Sequence, residues 1–223
     1  MRNQTYIRLF LLMAIVGFVA DQASKYYVFR KLSGDGQSGA KEIIPGWFRL
    51  VAYTDPHGDA SESYLEKLNG PVKPQVNQGA LFGLGGNQKH LANLFFLGIS
   101  ILAAVIITIW ALRKTGREDR LLSFALGIIL GGTLGNLYDR IVFGGVRDFL
   151  YFYYIEWPVF NIADCCLVCG ATLLFIQAVF FAKQPITIEQ DHQKVEPGSD
   201  GIVMDIPKMP MLPANSINPV SPV

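Results

Sequence analysis

Cysteine and histidine are scarce in this chain, three of each among 223 residues, and their placement excludes more than their number does. Cys165, Cys166 and Cys169 share one apolar segment with no second cysteine pair elsewhere, while His57, His90 and His192 are scattered. A zinc site needs ligands converging from more than such a cluster, so no metal and no cofactor are expected. The three thiols read instead as small apolar helix-fillers. One-sided charge is missing too. The formal net charge is +1 and no Lys/Arg tract stands out, so the electrostatic footprint of a nucleic-acid binder is absent.

Apolar residues make up 51% of the chain, and four stretches hold the longest runs. They are Leu9–Ala20, Leu91–Leu112, Leu121–Tyr138 and about Phe160–Ala182. A bilayer core takes about 20 apolar residues per helix, with about 17 at the short end. The second and fourth stretches meet that easily, and the third just does. The first admits two readings. Its basic start and its small residues Gly17 and Ala20 also describe a secretory signal peptide. A spanning helix can instead be drawn from Tyr6 to Phe29, at the cost of enclosing Asp21, Gln22, Ser24 and Lys25.

Orientation follows from the basic residues at the segment ends. Arg2 and Arg8 precede the first segment, Arg113, Lys114, Arg117 and Arg120 fill the loop between the second and third, and Lys183 follows the fourth. The positive-inside rule then places both termini in the cytoplasm. On that topology the outer ends of the segments bring together Asp21–Lys25, Asn136–Arg140, the connector holding Asp148, and Asn161 with Asp164. The stretch Asn77–Gly83 arrives at the same face. An ionisable residue at membrane depth is costly, so each of these is a functional candidate. Two carboxyls close together, Asp148 and Asp164, point to acid–base chemistry, because like charges at short range push their pKa values apart.

Neighbouring features have plainer readings. Gly127, Gly131 and Gly135 recur every four residues, a small-residue face that lets a second helix approach. Asn136 and Arg140 share a helical face, and Asp139 beside Arg140 reads as one half of an ion pair. Gly144 and Gly145 end the third helix. Phe149, Tyr151, Phe152, Tyr153, Tyr154 and Trp157 read as an interfacial aromatic belt. Gly46–Tyr53 suits a short strand, and Ser63 with Glu66 is spaced as a capping box for a short helix within Thr54–Gln75. The tail from Gln184 is Pro-rich and poor in large apolar residues, which predicts disorder.

Five stretches taken in order resemble the lipoprotein signal peptidases, or signal peptidase II, of bacterial inner membranes. They are Asp21-Gln22-Ala23-Ser24-Lys25, Asn77-Gln78-Gly79-Ala80-Leu81-Phe82-Gly83, Gly131–Arg140, Gly145-Val146-Arg147-Asp148-Phe149 and Phe160-Asn161-Ile162-Ala163-Asp164. The resemblance covers about Tyr6 to Ala182 and implies that the first segment is retained as a helix.

It further implies a mainly α integral membrane fold, with four transmembrane helices, a small outer-face β cradle and a surface helix within the Lys31–His90 region. The implied activity is that of an aspartic endopeptidase cleaving prolipoproteins just before a diacylglyceryl-bearing cysteine. The family's catalytic aspartates fall on Asp148 and Asp164. Its surrounding polar residues fall on Asn77, Asn136, Arg140 and Asn161, with Asp21 and Lys25 as a supporting pair. Residues 1–182 would then form the peptidase domain, with an outer insertion at about 30–90, and 183–223 a cytoplasmic tail. The expected partners are lipid-modified prolipoproteins and membrane lipids, with the protein acting as a monomer. Two departures stand out: Thr54–Gln75 is longer than the family usually has before its Asn-x-Gly motif, and Cys165 stands where Ser is common.

Two other classes compete. A transporter would spread polar residues across the bilayer or show inverted repeats, whereas here the second segment is apolar throughout and polar groups gather at one face. A purely structural subunit would have no need of both aspartates and their polar neighbours.

Overall fold

The computed structural model describes residues 5–55, 57, 59–79, 89–113 and 118–180. In chain order the elements are α1 (Ile7–Leu32), β1 (Gly39–Ile44), β2 (Phe48–Ala52), α2 (Tyr64–Asn69), α3 (Lys89–Leu112), α4 (Arg120–Val142), β3 (Leu150–Tyr151), a 3-10 turn at Tyr153–Ile155 and α5 (Ile162–Phe180). Four of these, α1, α3, α4 and α5, are long and apolar enough to cross a membrane. Expectations resting on Arg2, Ala80–Gly83, Lys114, Arg117, Lys183 and the tail lie outside the described residues.

The helix ends follow from local chemistry. α1 runs through Asp21 and Lys25 to Leu32 because both side chains are buried and paired inside the bundle, so they do not have to reach water. α4 starts at Arg120, where the Asp119 side chain accepts the Leu122 N–H. It stops at Val142, and Gly144 follows with φ +70, a left-handed value that favours glycine. α5 opens two residues later than the apolar run, at Ile162, because Asn161 serves as its cap.

α4 is the centre of the bundle and packs against the other three spanning helices. Gly127, Gly131 and Gly135 all face α1: a methyl group added there would sit 2.6 Å from Phe10 O, 2.7 Å from Ala14 O and 2.5 Å from Asp21 Oδ2 respectively. The small-residue face is therefore helix packing over most of its length and makes room for a carboxylate toward the C-terminal end of α4. Gly132 faces the other way, where an added methyl would lie 2.5 Å from Ala163 O of α5. α3 leaves Leu94, Phe95, Leu102, Ile106 and Ile109 exposed. So broad an apolar surface fits lipid as its solvent.

The sheet is antiparallel in the order β1-β2-β3. Its third strand is contributed by the α4–α5 connector, whereas the cradle was expected within Lys31–His90 alone. The difference arises because Val51 N–H donates to Phe149 O at 2.9 Å, drawing the connector onto β2. Phe149 is consequently buried with Val28, Phe29 and Ala52, not set in an interfacial belt as the sequence predicts. Tyr154 and Trp157 do remain exposed, and Tyr154 stacks on Trp47 at 4.3 Å between centroids. α2 begins with the expected capping box: Ser63 Oγ accepts from Glu66 N–H, and Glu66 Oε2 accepts from Ser63 N–H, each at 3.1 Å.

Candidate active site

Asp148 sits on a backbone bracket tied on both sides. Before it, Asn77 and Val146 exchange both backbone hydrogen bonds, at 2.7 and 2.9 Å. After it, Phe149 and Leu150 each donate to Phe160 O, at 3.0 and 2.9 Å, and Phe160 N–H donates back to Leu150 O. These ladders bring the side chains of Asn77 and Asn161 to the carboxylate. Asn77 Nδ2 donates to Asp148 Oδ2 at 3.0 Å, and Asn161 Nδ2 donates to Asp148 Oδ1 at 2.7 Å.

Asp164 is held by the first turn of α5. Asn161 Oδ1 accepts the Asp164 N–H at 3.0 Å, and Asp164 Oδ2 accepts the Asn161 N–H at 3.3 Å, a reciprocal cap with an aspartate at the third helical position. The helix N-terminus also favours a carboxylate there. Asn136 Nδ2 donates to the other oxygen, Asp164 Oδ1, at 2.9 Å. Asn161 thus touches both aspartates, one through its side-chain amide and the other through its cap.

Amide orientations follow from what each partner can offer. Lys25 Nζ can only donate, so Asn136 turns Oδ1 toward it at 3.3 Å and its Nδ2 toward Asp164. The same Oδ1 accepts from Asn161 Nδ2 at 3.2 Å. Arg140 lies on the α4 face of Asn136, with one guanidinium nitrogen 3.3 Å from Asn136 O and its cation 5.5 Å from the Phe96 ring centroid. Its charge is felt by both Asp148 and Asp164.

Beneath this shell lies a fully buried ionic layer. Lys25 Nζ is 2.8 Å from Asp21 Oδ2 and 3.2 Å from Asp139 Oδ2. Asp21 Oδ1 accepts the Ala163 N–H at 2.9 Å, so Asp21 and Asn161 both cap the helix that carries Asp164. Gln22 Nε2 reaches Asp21, Gly135 O and Asp139 at 2.9, 3.0 and 3.1 Å. The predicted pairing of Asp139 with Arg140 does not form. Adjacent residues on a helix point about 100° apart, and Asp139 faces inward, where it binds Lys25 and Arg147. Two anions, Asp21 and Asp139, thereby meet two cations, Lys25 and Arg147, and buried charge survives only when so compensated.

All eight residues singled out from the sequence converge here: Asp148, Asp164, Asn77, Asn136, Asn161 and Arg140 in the upper shell, Asp21 and Lys25 below. In the sequence Gln22 and Arg147 stand out only as parts of the stretches Asp21–Lys25 and Gly145–Phe149, and Asn69 does not stand out at all; nothing in the immediate context of Arg147 marks it as buried.

Electrostatics separate Asp148 from an ordinary carboxyl. Burial and, next, the nearby Asp164 charge push its pKa up to about 6, against hydrogen bonds from Asn77 and Asn161 and the charge of Lys25. A carboxyl poised there can exchange a proton near neutral pH. Among the described residues no group of three or more His, Cys, Asp or Glu side chains could hold a metal ion. Two carboxyls held by shared asparagines are equipped to take and give protons in general acid–base chemistry.

Comparison with known proteins identifies the family. A family model described as signal peptidase (SPase) II matches residues 71–180. The lipoprotein signal peptidase of Symbiobacterium thermophilum is 34% identical over 176 residues, covering 78% of this chain and 96% of that protein. That of Alteromonas mediterranea is 36% identical over 169 residues, covering 75% and 78%. Two solved structures, each described as a bacterial membrane enzyme, superpose with TM-scores of 0.61 and 0.62 at 22% identity. They cover 81% and 83% of this chain and 98% of each neighbour, and they establish the shared fold. The chain is a membrane peptidase and belongs to the signal peptidase II family.

Proposed function

We propose that this protein removes signal peptides from diacylglyceryl-modified bacterial prolipoproteins, cutting before the lipidated cysteine by water attack between Asp148 and Asp164. The observation that carries the reading is Asn161, which hydrogen-bonds both carboxylates from the turn that starts α5. Its supports are the family membership and the names of the relatives.

One aspartate, ionised, takes a proton from a water as that water adds to the scissile carbonyl carbon. The other, protonated, gives its proton to the carbonyl oxygen, so the tetrahedral adduct forms without a free oxyanion. Collapse of the adduct breaks the C–N bond, with a proton passing to the leaving amine. No covalent enzyme intermediate arises. The two carboxyls titrate as a coupled pair, so base and acid belong to the dyad. Asn77, Asn136 and Asn161 orient the carboxylates, and the Arg140 charge favours the ionised member. Asp21 and Lys25 act through the frame, one capping α5 and the other turning Asn136.

The enzyme works as a monomer in the bacterial inner membrane, with both termini in the cytoplasm and the dyad at the outer face. The positive charges of Arg8, Arg113 and Arg120 support that orientation. The substrate's acyl chains lie against the lipid-facing bundle and add binding energy that a soluble peptide lacks. The test is cleavage of a diacylglyceryl-modified prolipoprotein by the purified protein beside folded Asp148→Asn and Asp164→Asn variants. Either substitution is expected to lower kcat by roughly 10²–10⁴-fold. An inactive parent on several lipidated substrates, or variants that cleave like the parent, would overturn the proposal.

A further inference from the structure

We propose that Arg147 is a positioning residue for Asp148 and that Asn69 couples the outer loop to it, making residues 59–77 part of the catalytic apparatus. The inference rests on the assignment of Asp148 to the reacting dyad.

Arg147 precedes Asp148 in the chain, and its side chain runs into the bundle, where it is fully buried. Its backbone N–H and Nε both donate to Asp139 Oδ2, at 2.9 and 3.2 Å, and one terminal nitrogen donates to Asp139 Oδ1 at 2.8 Å. Backbone and side chain of one residue therefore clasp one carboxylate of α4, which fixes the chain direction where it passes into Asp148. The same terminal nitrogen reaches Gln22 Oε1 of α1 at 2.8 Å. The other reaches Asn69 Oδ1, the last residue of α2, at 2.7 Å, the shortest of the side chain's bonds. The guanidinium carbon lies 4.4 and 3.9 Å from the ring centroids of Tyr26 and Phe143. A lysine would neutralise Asp139 as well. What the arginine adds is a fork that joins α1, α2 and α4 at the residue before Asp148.

The outer loop itself is ordered up to that contact. Asp55 and Gln75 N–H groups donate to Lys73 O and Tyr53 O, each at 2.8 Å, while Lys73 and Ser61 N–H groups donate to Asp59 O and Pro71 O at 2.9 and 3.0 Å. Ser61 Oγ closes the end of α2 by donating to Gly70 O. The loop then leads to Asn77, which binds Val146 and the Asp148 carboxylate. One loop thus grips residues 146–148 twice, through Asn69 and through Asn77. Asn69 is buried although its Nδ2 has no hydrogen-bond partner among the described residues. An orphaned buried donor is destabilising, so the Oδ1 bond to Arg147 is the contact that this residue supplies.

The experiment compares kcat and KM for cleavage of a diacylglyceryl-modified prolipoprotein by the full chain and four variants, each normalised to folded protein from gel filtration. Asn69→Leu, which keeps the shape and removes the acceptor, is expected to lower kcat by about tenfold or more with KM within about twofold, because a small misplacement of a reacting group is costly. Arg147→Lys is expected to do the same, and the double variant to be no worse than the poorer single, as for residues acting as one unit. Asn69→Asp keeps the acceptor but adds a third anion to a layer of two anions and two cations, so it should fold less well than the parent while keeping more kcat per folded molecule than Asn69→Leu. Should Asn69→Leu not fold, the kcat of Arg147→Lys carries the test. Parent-like kcat in Asn69→Leu, or losses that add in the double variant, would overturn the inference. Asp148→Asn run alongside separates the two failures. If it cleaves, the dyad assignment falls and this inference with it; if it is dead while Asn69→Leu turns over normally, only the coupling falls.

Discussion

At the scale of single residues, Asp148 carries an electrostatic cost in its folded surroundings. Its folded-state pKa of about 6 lies above the ordinary 3.8 because burial and the Asp164 charge disfavour its ionised form. A raised carboxyl pKa contributes stability below the unfolded value and loses it as pH rises through the folded one. The parent should therefore lose stability between about pH 4 and pH 7 relative to Asp148→Asn, by up to about 3 kcal/mol for a shift of this size. Thermal unfolding of both proteins in detergent across that range measures the gap. A parent-minus-variant stability that stays constant, or that rises with pH, would contradict the assigned electrostatics. Among the described residues the donors bonded to this carboxyl are neutral, Asn77 and Asn161, with the charge of Lys25 acting from farther off.

At the scale of elements, α4 organises the bundle through what it lacks. Gly131 admits α1 so closely that an added methyl would meet the backbone at 2.7 Å from Ala14 O and 3.0 Å from Gly17 Cα, atoms that cannot turn aside. Gly131→Ala should therefore push α1 from α4 and cost about 1–3 kcal/mol, as overpacking does. Gly98 on α3 has nothing within 4 Å of the same added atom, so Gly98→Ala is expected to leave stability unchanged or slightly raised. Midpoints of unfolding in detergent for the pair give the comparison, and equal midpoints would show that the glycine face is not tightly packed. The consequence reaches the site, because α1 delivers Asp21 and Lys25, and Asp21 caps the helix that presents Asp164.

At the scale of the whole molecule, loops and bundle are tied together: β2 draws in the connector, and the loop before α3 supplies Asn77 to Asp148. The orientation of the molecule in the membrane is open to direct test. In a chain whose three cysteines are replaced by alanine, Gln37→Cys, between α1 and β1, should react with an impermeant maleimide added to intact spheroplasts. Glu118→Cys, between α3 and α4, should react only after the membrane is opened. Both positions are exposed in the structure. Reversed labelling would invert the topology and place the dyad in the cytoplasm.

Much of this protein was legible without coordinates. Length and apolarity marked three of the four long helices, since a bilayer imposes one length on all of them, while the first rested on the family resemblance. The Ser63–Glu66 spacing marked α2, and the two aspartates with their asparagines stood out because polar groups at membrane depth are expensive. These are local properties, decided by residues near one another in the chain. What the tertiary structure alone decided is who pairs with whom. Asp139 meets Arg147 and Lys25 instead of its neighbour Arg140, Phe149 turns into the core, and Asn69 crosses from the outer loop to the residue before Asp148. Such partners lie up to 142 residues apart, as Asp21 and Ala163 do. Their meeting depends on how helices and strands pack, and buried charges accept whichever compensating partner that packing brings within reach.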